Sequence, residues 1–167
     1  MQGLPGTHRL REGTPLTAAE EQERVRLQIK LLHPDAQAPS YAHPGDAGLD
    51  LRSVEDIVLK PGQRAAIATG LAVAIPDGYA GFVHARSGRA LKEGLALPNA
   101  PGLIDAGFRG ELKVLLVNLD PDTPIEIRKG EKIAQMVIQK VENAMVEMTE
   151  TLDETPRGEG GFGSTGI

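Results

Sequence analysis

Alternating apolar and polar side chains are the main pattern of this chain from residue 25 onward. Residues 25–31 (VRLQIKL) place an apolar side chain at every second position, and residues 65–75 repeat the pattern. A period of two predicts β-strands that bury one face. Further strands are predicted at residues 81–85, 95–97, 111–118, 125–127, 132–141 and 145–148. Pro-Gly, Pro-Asp and Lys-Gly turn signals separate these segments, so the sequence predicts an all-β fold, a jelly-roll-like barrel or sandwich.

One short interior helix is predicted between the strands. Ser87 is expected to cap its N-terminus and Gly94 to follow its C-terminus, with residues 89–93 between them. Backbone amides at such a helix start, next to the Arg86 guanidinium, can bind an anion. By itself, however, a serine in this position is more often a purely structural cap.

The two ends of the chain differ from the middle. Residues 1–14 are rich in glycine, proline and charge, and residues 17–20 fit the capping box of a short polar helix that reaches Arg24. Residues 157–167 (RGEGGFGSTGI) combine five glycines with a cation, an aromatic ring and two hydroxyls. This composition predicts either a lid that closes over a ligand or a disordered terminus. We expect a peripheral extension at 1–24, a β-barrel domain at 25–150 and a flexible arm at 151–167.

Composition narrows the possible functions. The 167 residues include 20 glycines, 12 prolines and no cysteine, and the net charge is −5. The negative charge argues against nucleic acid as a partner, and the lack of cysteine excludes disulfides and thiolate metal sites. There is no apolar run of about 18 residues and no signal-peptide pattern. A cytoplasmic protein without a membrane segment is therefore expected.

Three loop residues could carry chemistry. Asp50 is flanked by small and apolar residues, and Asp105 follows Leu-Ile in a glycine-framed loop. Partial burial, which we expect for Asp105, would suit a general base. For both aspartates an Asx-turn is the commoner explanation. Asn99 is either a turn residue or an amide whose donor and acceptor match the edge of a uracil ring.

Five segments, taken in order, resemble the five motifs of the trimeric dUTPase family. They are residues 47–51 (AGLDL), 86–88 (RSG), 99–110, 128–135 and 157–166. The resemblance covers the chain from about residue 25 to its end. It implies a homotrimer whose active sites are shared between subunits, and conversion of dUTP to dUMP and pyrophosphate.

The resemblance also implies a role for each matching residue. Asp105 would orient and deprotonate the water that attacks the α-phosphorus in line, and Asp50 would contact Mg²⁺ through water. Phe108 would lie against the deoxyribose, and Phe162 would stack on the base. The residues implied in substrate binding are Arg86, Ser87, Gly88, Asn99, Gly102, Ile104, Phe108, Gln135, Arg157, Phe162, Gly163, Ser164 and Thr165.

Two residues depart from the family pattern, and two other functions are possible. Phe108 stands where the family usually has tyrosine, and Arg89 stands where leucine is more common. A dCTP deaminase would share the fold but would need a glutamate base after the Ser-Gly helix, and it would lack the glycine-rich arm. A non-catalytic nucleotide-binding β module is the second alternative. Asp105 and Phe162 favour the phosphohydrolase.

Overall fold

The computed structural model describes residues 25–161 and residue 164. The helix predicted at residues 17–24, and the predicted site residues Phe162, Gly163 and Thr165, lie outside the described residues. Within the described part of the chain, no helix has the length and apolar character needed to cross a membrane.

Ten β-strands and one α-helix make up the regular structure of the described residues. They are, in chain order, β1 (Gln28–Leu31), β2 (Leu49–Arg52), β3 (Ile57–Leu59), β4 (Arg64–Ala74), β5 (Tyr79–His84), α1 (Ser87–Glu93), β6 (Leu95–Ala96), β7 (Gly102–Ile104), β8 (Glu111–Asn118), β9 (Ile125–Ile127) and β10 (Lys132–Lys140). The all-β prediction is confirmed.

The strands form two four-stranded sheets and a two-stranded one. The first sheet has the order β1-β4-β8-β6, the second has the order β2-β10-β5-β7, and β3 pairs with β9. Buried side chains alternate along β8, where Leu112, Val114 and Leu116 are buried, and Ile67 on β4 and Met136 on β10 are buried as well. These side chains belong to one core cluster that draws on both large sheets. The period-two pattern therefore marks the faces that are buried.

The predicted strands differ from the observed ones mainly at the short elements. The prediction missed β2, β3 and β7, and it read residues 102–110 as a loop. The strand predicted at residues 145–148 is wrong: this segment has no regular structure, and Met145 and Met148 are 91% and 90% exposed. Apolar side chains alone do not make a strand, because a strand needs a neighbour for its backbone hydrogen bonds and a core for its apolar face.

The helix begins one residue earlier than predicted. The Ala90 N–H donates to the Arg86 carbonyl at 2.9 Å, so Arg86 is the capping residue and Ser87 is the first helical residue. Ser87 as the N-cap is therefore wrong, and Arg86 makes no capping hydrogen bond with its side chain. Gly94 ends the helix as predicted, in a left-handed conformation with φ of 70° that favours glycine.

Candidate active site

The register of the second sheet gathers four of the predicted site residues at one place. Gln135 on β10 lies opposite Asp50 on β2 and opposite His84 at the end of β5. The chain continues from β5 into Arg86 and Ser87, and the Gln135 amide nitrogen donates to the Ala85 carbonyl at 3.3 Å. A cavity of about 310 Å³ lies here, lined by Arg86, Ser87, Gly88, Arg89, Lys92, Glu93 and Gln135. We call Asp50, Arg86, Ser87, Lys132 and Gln135 the β5–β10 cluster.

Gly48 explains why the Gln135 side chain can lie so close to β2. A Cβ atom at this position would stand 2.6 Å from Gln135 Oε1, which is far inside van der Waals contact. A larger residue would therefore displace the Gln135 amide. Gly48 thus supplies space for Gln135, and Asp50 lies two residues after it.

Asp50 is the most enclosed charge of this cluster. Its side chain is 5% exposed, and it pairs with Arg86 Nη1 and, through Oδ2, with Lys132 Nζ at 2.6 Å. Oδ2 nevertheless makes no hydrogen bond of regular geometry to any described residue. A buried carboxylate is tolerated when cations neutralise it, and two of them do so here. Sequence reasoning did not single out Lys132; its place on the strand that carries Gln135 was the available signal.

The second group of predicted residues lies on the other side of β5. Strand β7 pairs with β5 so that Gly102 is opposite Val83 and Ile104 is opposite Gly81. A Cβ on Gly102 would stand 3.3 Å from the Asn99 amide nitrogen, so this glycine admits the Asn99 side chain. We call residues 99–110 the β7 loop. Its first residues lie near the end of β5 that leads to Arg86.

Asp105 and Phe108 occupy the exposed turn of the β7 loop. The Phe108 N–H donates to the Asp105 carbonyl at 3.1 Å, which closes the turn, and the Phe108 side chain is 41% exposed. Asp105 is exposed as well, so the partial burial expected for it is wrong for the single chain. Among the described residues, the glycine-framed segment leaves the Asp105 side chain exposed.

One chain does not bring Asp105 to the β5–β10 cluster. Ile104 pairs with Gly81, whereas Gln135 pairs with His84, three residues further along β5. At about 3.3 Å per residue these positions are roughly 10 Å apart, and Asp105 continues away from the cluster.

The tail also remains separate from the cluster. Residues 142–159 are exposed, and the described tail makes only local hydrogen bonds. Arg157 Nε donates to the Gly160 carbonyl at 2.9 Å, and the Ser164 N–H donates to the Gly161 carbonyl at 3.0 Å. The predicted tail residues that the structure describes, Arg157 and Ser164, are thus folded into turns and not placed at the cavity.

The side chains do not form a metal cage. Among residues 25–161 and 164, no three histidine, aspartate or glutamate side chains lie close enough together to hold a metal. Asp50 already faces two cations. The donor set therefore does not fit a resident metal, but it is compatible with Mg²⁺ that arrives bound to a triphosphate and keeps most of its waters.

An exposed ion pair fixes the turn between β9 and β10. Lys129 Nζ lies 2.7 Å from Asp35 Oδ2, and the Lys129 N–H donates to Asp56 Oδ1 at 2.7 Å. The hydrogen bond from Lys129 holds the pKa of Asp35 below its usual value, and the same contact raises the pKa of Lys129. This turn leads directly into the strand that carries Lys132 and Gln135.

Comparison with known proteins shows which family this chain is similar to. The dUTPase family model matches residues 34–166. The chain is 56% identical over 142 residues to a deoxyuridine 5′-triphosphate nucleotidohydrolase of Thermobifida fusca, a match that covers 85% of this chain and 79% of the relative.

Solved structures agree with this result. A mutant dUTPase of Staphylococcus bacteriophage 80alpha with dUpNHpp superposes with a TM-score of 0.78 at 34% identity, over 85% of this chain and 99% of that one. A mutant dUTPase from phage phi11 of S. aureus, described with a structural Mg(II) ion, gives a TM-score of 0.70 at 31% identity, over 75% and 97% of the two chains. The jelly-roll-like prediction is confirmed by these neighbours.

Proposed function

The chain belongs to the dUTPase family, and from this membership we propose how its residues act on dUTP. The protein is a dUTP diphosphatase, an enzyme that hydrolyses dUTP to dUMP and pyrophosphate. Its substrate is a polyanion with a flat base at one end. The site must therefore supply cations and hydrogen-bond donors for the phosphates, and a flat pocket for the base.

The β5–β10 cluster is the phosphate side of this site. Arg86, Ser87 and Gln135 line the same cavity and offer a guanidinium, a hydroxyl and an amide, all of which can donate to phosphate oxygens. Gly88 allows the backbone to come close to the substrate. Helix α1 has only seven residues, so we assign the binding to these side chains and not to the helix dipole.

Substrate-bound Mg²⁺ belongs to the same side. Magnesium supplies charge neutralisation on the phosphate oxygens when it is bound. Asp50 would face the water shell of that ion, while Arg86 and Lys132 keep the carboxylate in place. We treat the ion as part of the substrate because the described side chains do not cage it.

The β7 loop is the nucleoside side. Asn99, with the backbone of Gly102 and Ile104, reads the uracil edge, and the Phe108 ring packs against the deoxyribose. Asp105 takes a proton from the attacking water. Its exposed carboxylate is open to solvent, from which that water comes.

The proposal that each active site is shared between subunits rests on the distance between Asp105 and Gln135 along β5. Gln135 lies on β10, Asp105 directly follows β7 of the same sheet, and the register of the two strands on β5 separates these residues by more than about 10 Å. A water held by Asp105 of this chain cannot reach a phosphorus held by Gln135 of the same chain. We therefore assign the two halves of each site to different subunits of a homotrimer.

The segment after β10 supports contacts between subunits. Met145, Val146, Met148 and Leu152 are between 85% and 91% exposed. Four large apolar side chains in so short a segment favour burial against another surface. They would lie on a neighbouring subunit and lead residues 157–167 to its active site. There Arg157, Gly163, Ser164 and Thr165 would contact the phosphates, and Phe162 would stack on the uracil.

The division of the chain into domains and its cellular location are further parts of this proposal. Residues 25–150 form the barrel domain of the proposal, residues 151–167 form its closing arm, and residues 1–24 have no assigned role. A cytoplasmic location, where deoxynucleotides are made and used, fits the activity.

Replacing Asp105 tests the proposed base. Asp105→Asn keeps the shape and the hydrogen bonds of the side chain but cannot take the proton. It should bind a non-hydrolysable dUTP analogue normally, while pyrophosphate release falls by roughly 10²-fold or more. Wild-type turnover in a folded variant would remove Asp105 from the mechanism. Ammonia release from dCTP, in place of pyrophosphate release from dUTP, would favour the deaminase alternative.

Mixed trimers test the sharing of the site. Asp105→Asn subunits carry an intact tail, and subunits that end at Pro156 carry an intact Asp105. When the two are refolded together, some sites receive both intact parts and activity should return. Light scattering should report a trimer. No return of activity in confirmed mixed trimers would place Asp105 and the tail of one site on the same chain.

A further inference from the structure

Helix α1 carries part of the phosphate side but is not held by the core. None of its seven residues is buried. Isolated helices of this length are unstable in water, and most helices are stabilised by packing of an apolar face. The Gly94 carbonyl, at the end of the helix, accepts from the Leu119 N–H at 3.0 Å, and among the described residues the side-chain hydrogen bonds from the helix to the barrel come from Arg89.

Arg89 makes the main polar contacts between this helix and the barrel. Its side chain is only 17% exposed. Nε and Nη2 donate to Glu93 Oε2 at 2.9 and 2.7 Å, which orients the guanidinium along the helix. Nη2 also donates to the Glu126 carbonyl at 2.9 Å, and Nη1 donates to Glu131 Oε2 at 3.3 Å. One side chain thus bridges α1, strand β9 and the β9–β10 turn.

Glu131, which accepts a hydrogen bond from Arg89, is itself held in place by other hydrogen bonds. Glu131 Oε2 also accepts from the Arg128 N–H at 3.1 Å, and the Glu131 carbonyl accepts from the Ser53 N–H at 3.0 Å. The turn continues into β10, which presents Gln135 four residues later. Arg89 therefore joins the segment that presents Ser87 to the strand that presents Gln135.

The charge of Arg89 is already balanced. Two carboxylates, Glu93 and Glu131, face the guanidinium, and its donors are directed at them and at a backbone carbonyl. A guanidinium so engaged has little capacity left for a phosphate, although it lies at the wall of the cavity. Leucine, the more usual residue here in the family, could form none of these hydrogen bonds.

We propose that Arg89 is a positioning residue of this enzyme, which holds Arg86 and Ser87 at the spacing from Gln135 that the triphosphate requires. The proposal depends on the phosphate-binding role assigned to those three residues. Arg89 acts through the Glu131 contact and the Glu126 carbonyl, and it does not touch the substrate. Its loss should therefore weaken substrate binding more than it slows the chemical step.

The test measures KM and kcat for dUTP in two variants of this bridge. Arg89→Gln should raise KM about tenfold and leave kcat within about threefold, because only the spacing of the phosphate ligands changes. Arg89→Lys, which keeps the charge but reaches only one partner at a time, should fall between Arg89→Gln and the wild type. Arg128→Gln is the matched control, since it removes an exposed arginine of the same turn that pairs with Glu126.

Glu131→Gln separates positioning from direct binding. It weakens the bridge but leaves the Arg89 charge in place. If Arg89 positions the helix, KM should rise as it does in Arg89→Gln. If Arg89 instead contacts a phosphate, releasing it from Glu131 should lower KM, and this result would overturn the proposal. Glu131→Gln also tests the proposal if Arg89→Gln does not fold.

Arg86→Gln, measured in parallel, separates this inference from the proposed site. If Arg86→Gln binds dUTP as the wild type does, the phosphate assignment fails. If Arg86→Gln weakens binding while both Arg89→Gln and Glu131→Gln leave KM unchanged, the phosphate assignment stands and the role of Arg89 is wrong.

Discussion

The β5–β10 cluster and the β7 loop are two halves of one proposed site, but a single chain determines their structure to very different degrees. In the cluster, Asp50 is buried, two cations neutralise it, and Gln135 lies in space left by Gly48. In the β7 loop, Asp105 is exposed and the Phe108 ring is 41% exposed. In the cluster, Asp50 pairs with Arg86 and Lys132, whereas the tip of the loop is exposed.

The two halves therefore hold their functional side chains in different ways. Burial and ion pairing fix the cluster before substrate arrives, so the phosphate ligands are preorganised. Asp105 and Phe108 are held by backbone turns, and the surface that completes their environment must come from the substrate or another subunit. Changes in the cluster should therefore affect stability and activity together, and changes in the loop or the tail should affect activity alone.

Removing the tail should have the largest effect and should separate activity from stability. A chain that ends at Pro156 loses a stacking interaction worth about 1–3 kcal/mol and a charged hydrogen bond worth about 1.5–3 kcal/mol, so hydrolysis should fall by roughly 10²-fold or more. Thermal unfolding should not change, because the described tail makes only local hydrogen bonds.

Phe162→Ala is the matched control for the truncation. It removes the ring and keeps the proposed phosphate contacts, so its loss of activity should be smaller than that of the truncated chain. Hydrolysis by the truncated protein at the full-length rate would show that the tail has no part in the reaction.

The same substitution should affect the free energy of unfolding strongly in the cluster and little in the loop. Asp50→Asn leaves Arg86 and Lys132 facing a neutral amide, which should lower the free energy of unfolding by about 2–4 kcal/mol. Asp105→Asn removes an exposed charge and should change it by less than about 0.5 kcal/mol. Urea unfolding at one fixed protein concentration measures both, since an oligomer's stability depends on concentration. Equal stability of the two variants would contradict the contrast between the halves.

The parts of the fold that could be predicted are those where alternation and burial coincide. Strands β8 and β9 have the predicted bounds, because their alternate residues are buried in one core. Strand β7 was missed because its sequence, Gly-Leu-Ile, does not alternate, whereas the Ile-Glu-Ile of β9 does. Residues 145–148 are mostly apolar as well, but in one chain they have no partner strand among the described residues.

The site could be predicted only in part, for a related reason. Segments that resemble family motifs identified Asp50, Arg86 and Gln135, and β-sheet register brings these three together. Lys132 was missed because its function depends on a cross-strand neighbour that is distant in sequence. The expected burial of Asp105 was wrong because strand β7 ends at Ile104, so Asp105 begins an exposed turn and does not continue the strand.

Substitution of Phe108 should have an effect of intermediate size, confined to the choice between dUTP and UTP. The ring lies over Gly110, where an added Cβ would stand 2.9 Å from its Cζ atom, and the side chain is 41% exposed. Phe108→Ala should open space for a ribose hydroxyl and narrow the preference for dUTP over UTP by about tenfold. Phe108→Tyr keeps the ring face and should be close to neutral. Unchanged discrimination in the alanine variant would place sugar selection in the backbone of the β7 loop.

The smallest effect should come from the Asp35–Lys129 pair, which lies outside both halves but supports the turn before β10. The hydrogen bond from Lys129 lowers the pKa of Asp35 from 3.8, so its contribution to stability is present above that pH and is lost as the pH falls through the lowered value. The pKa of Lys129 is raised from 10.5, so its contribution is present below that pH and is lost as the pH rises through the raised value. Lys129→Gln should therefore lower the midpoint of thermal unfolding slightly at neutral pH, and the difference from wild type should disappear in acid. Because both groups are exposed and screened by salt, the shift should stay well below that of Asp50→Asn. Lys60→Gln, another exposed lysine, controls for the loss of one positive charge, and an equal shift in that variant at every pH would show that the pair contributes nothing specific.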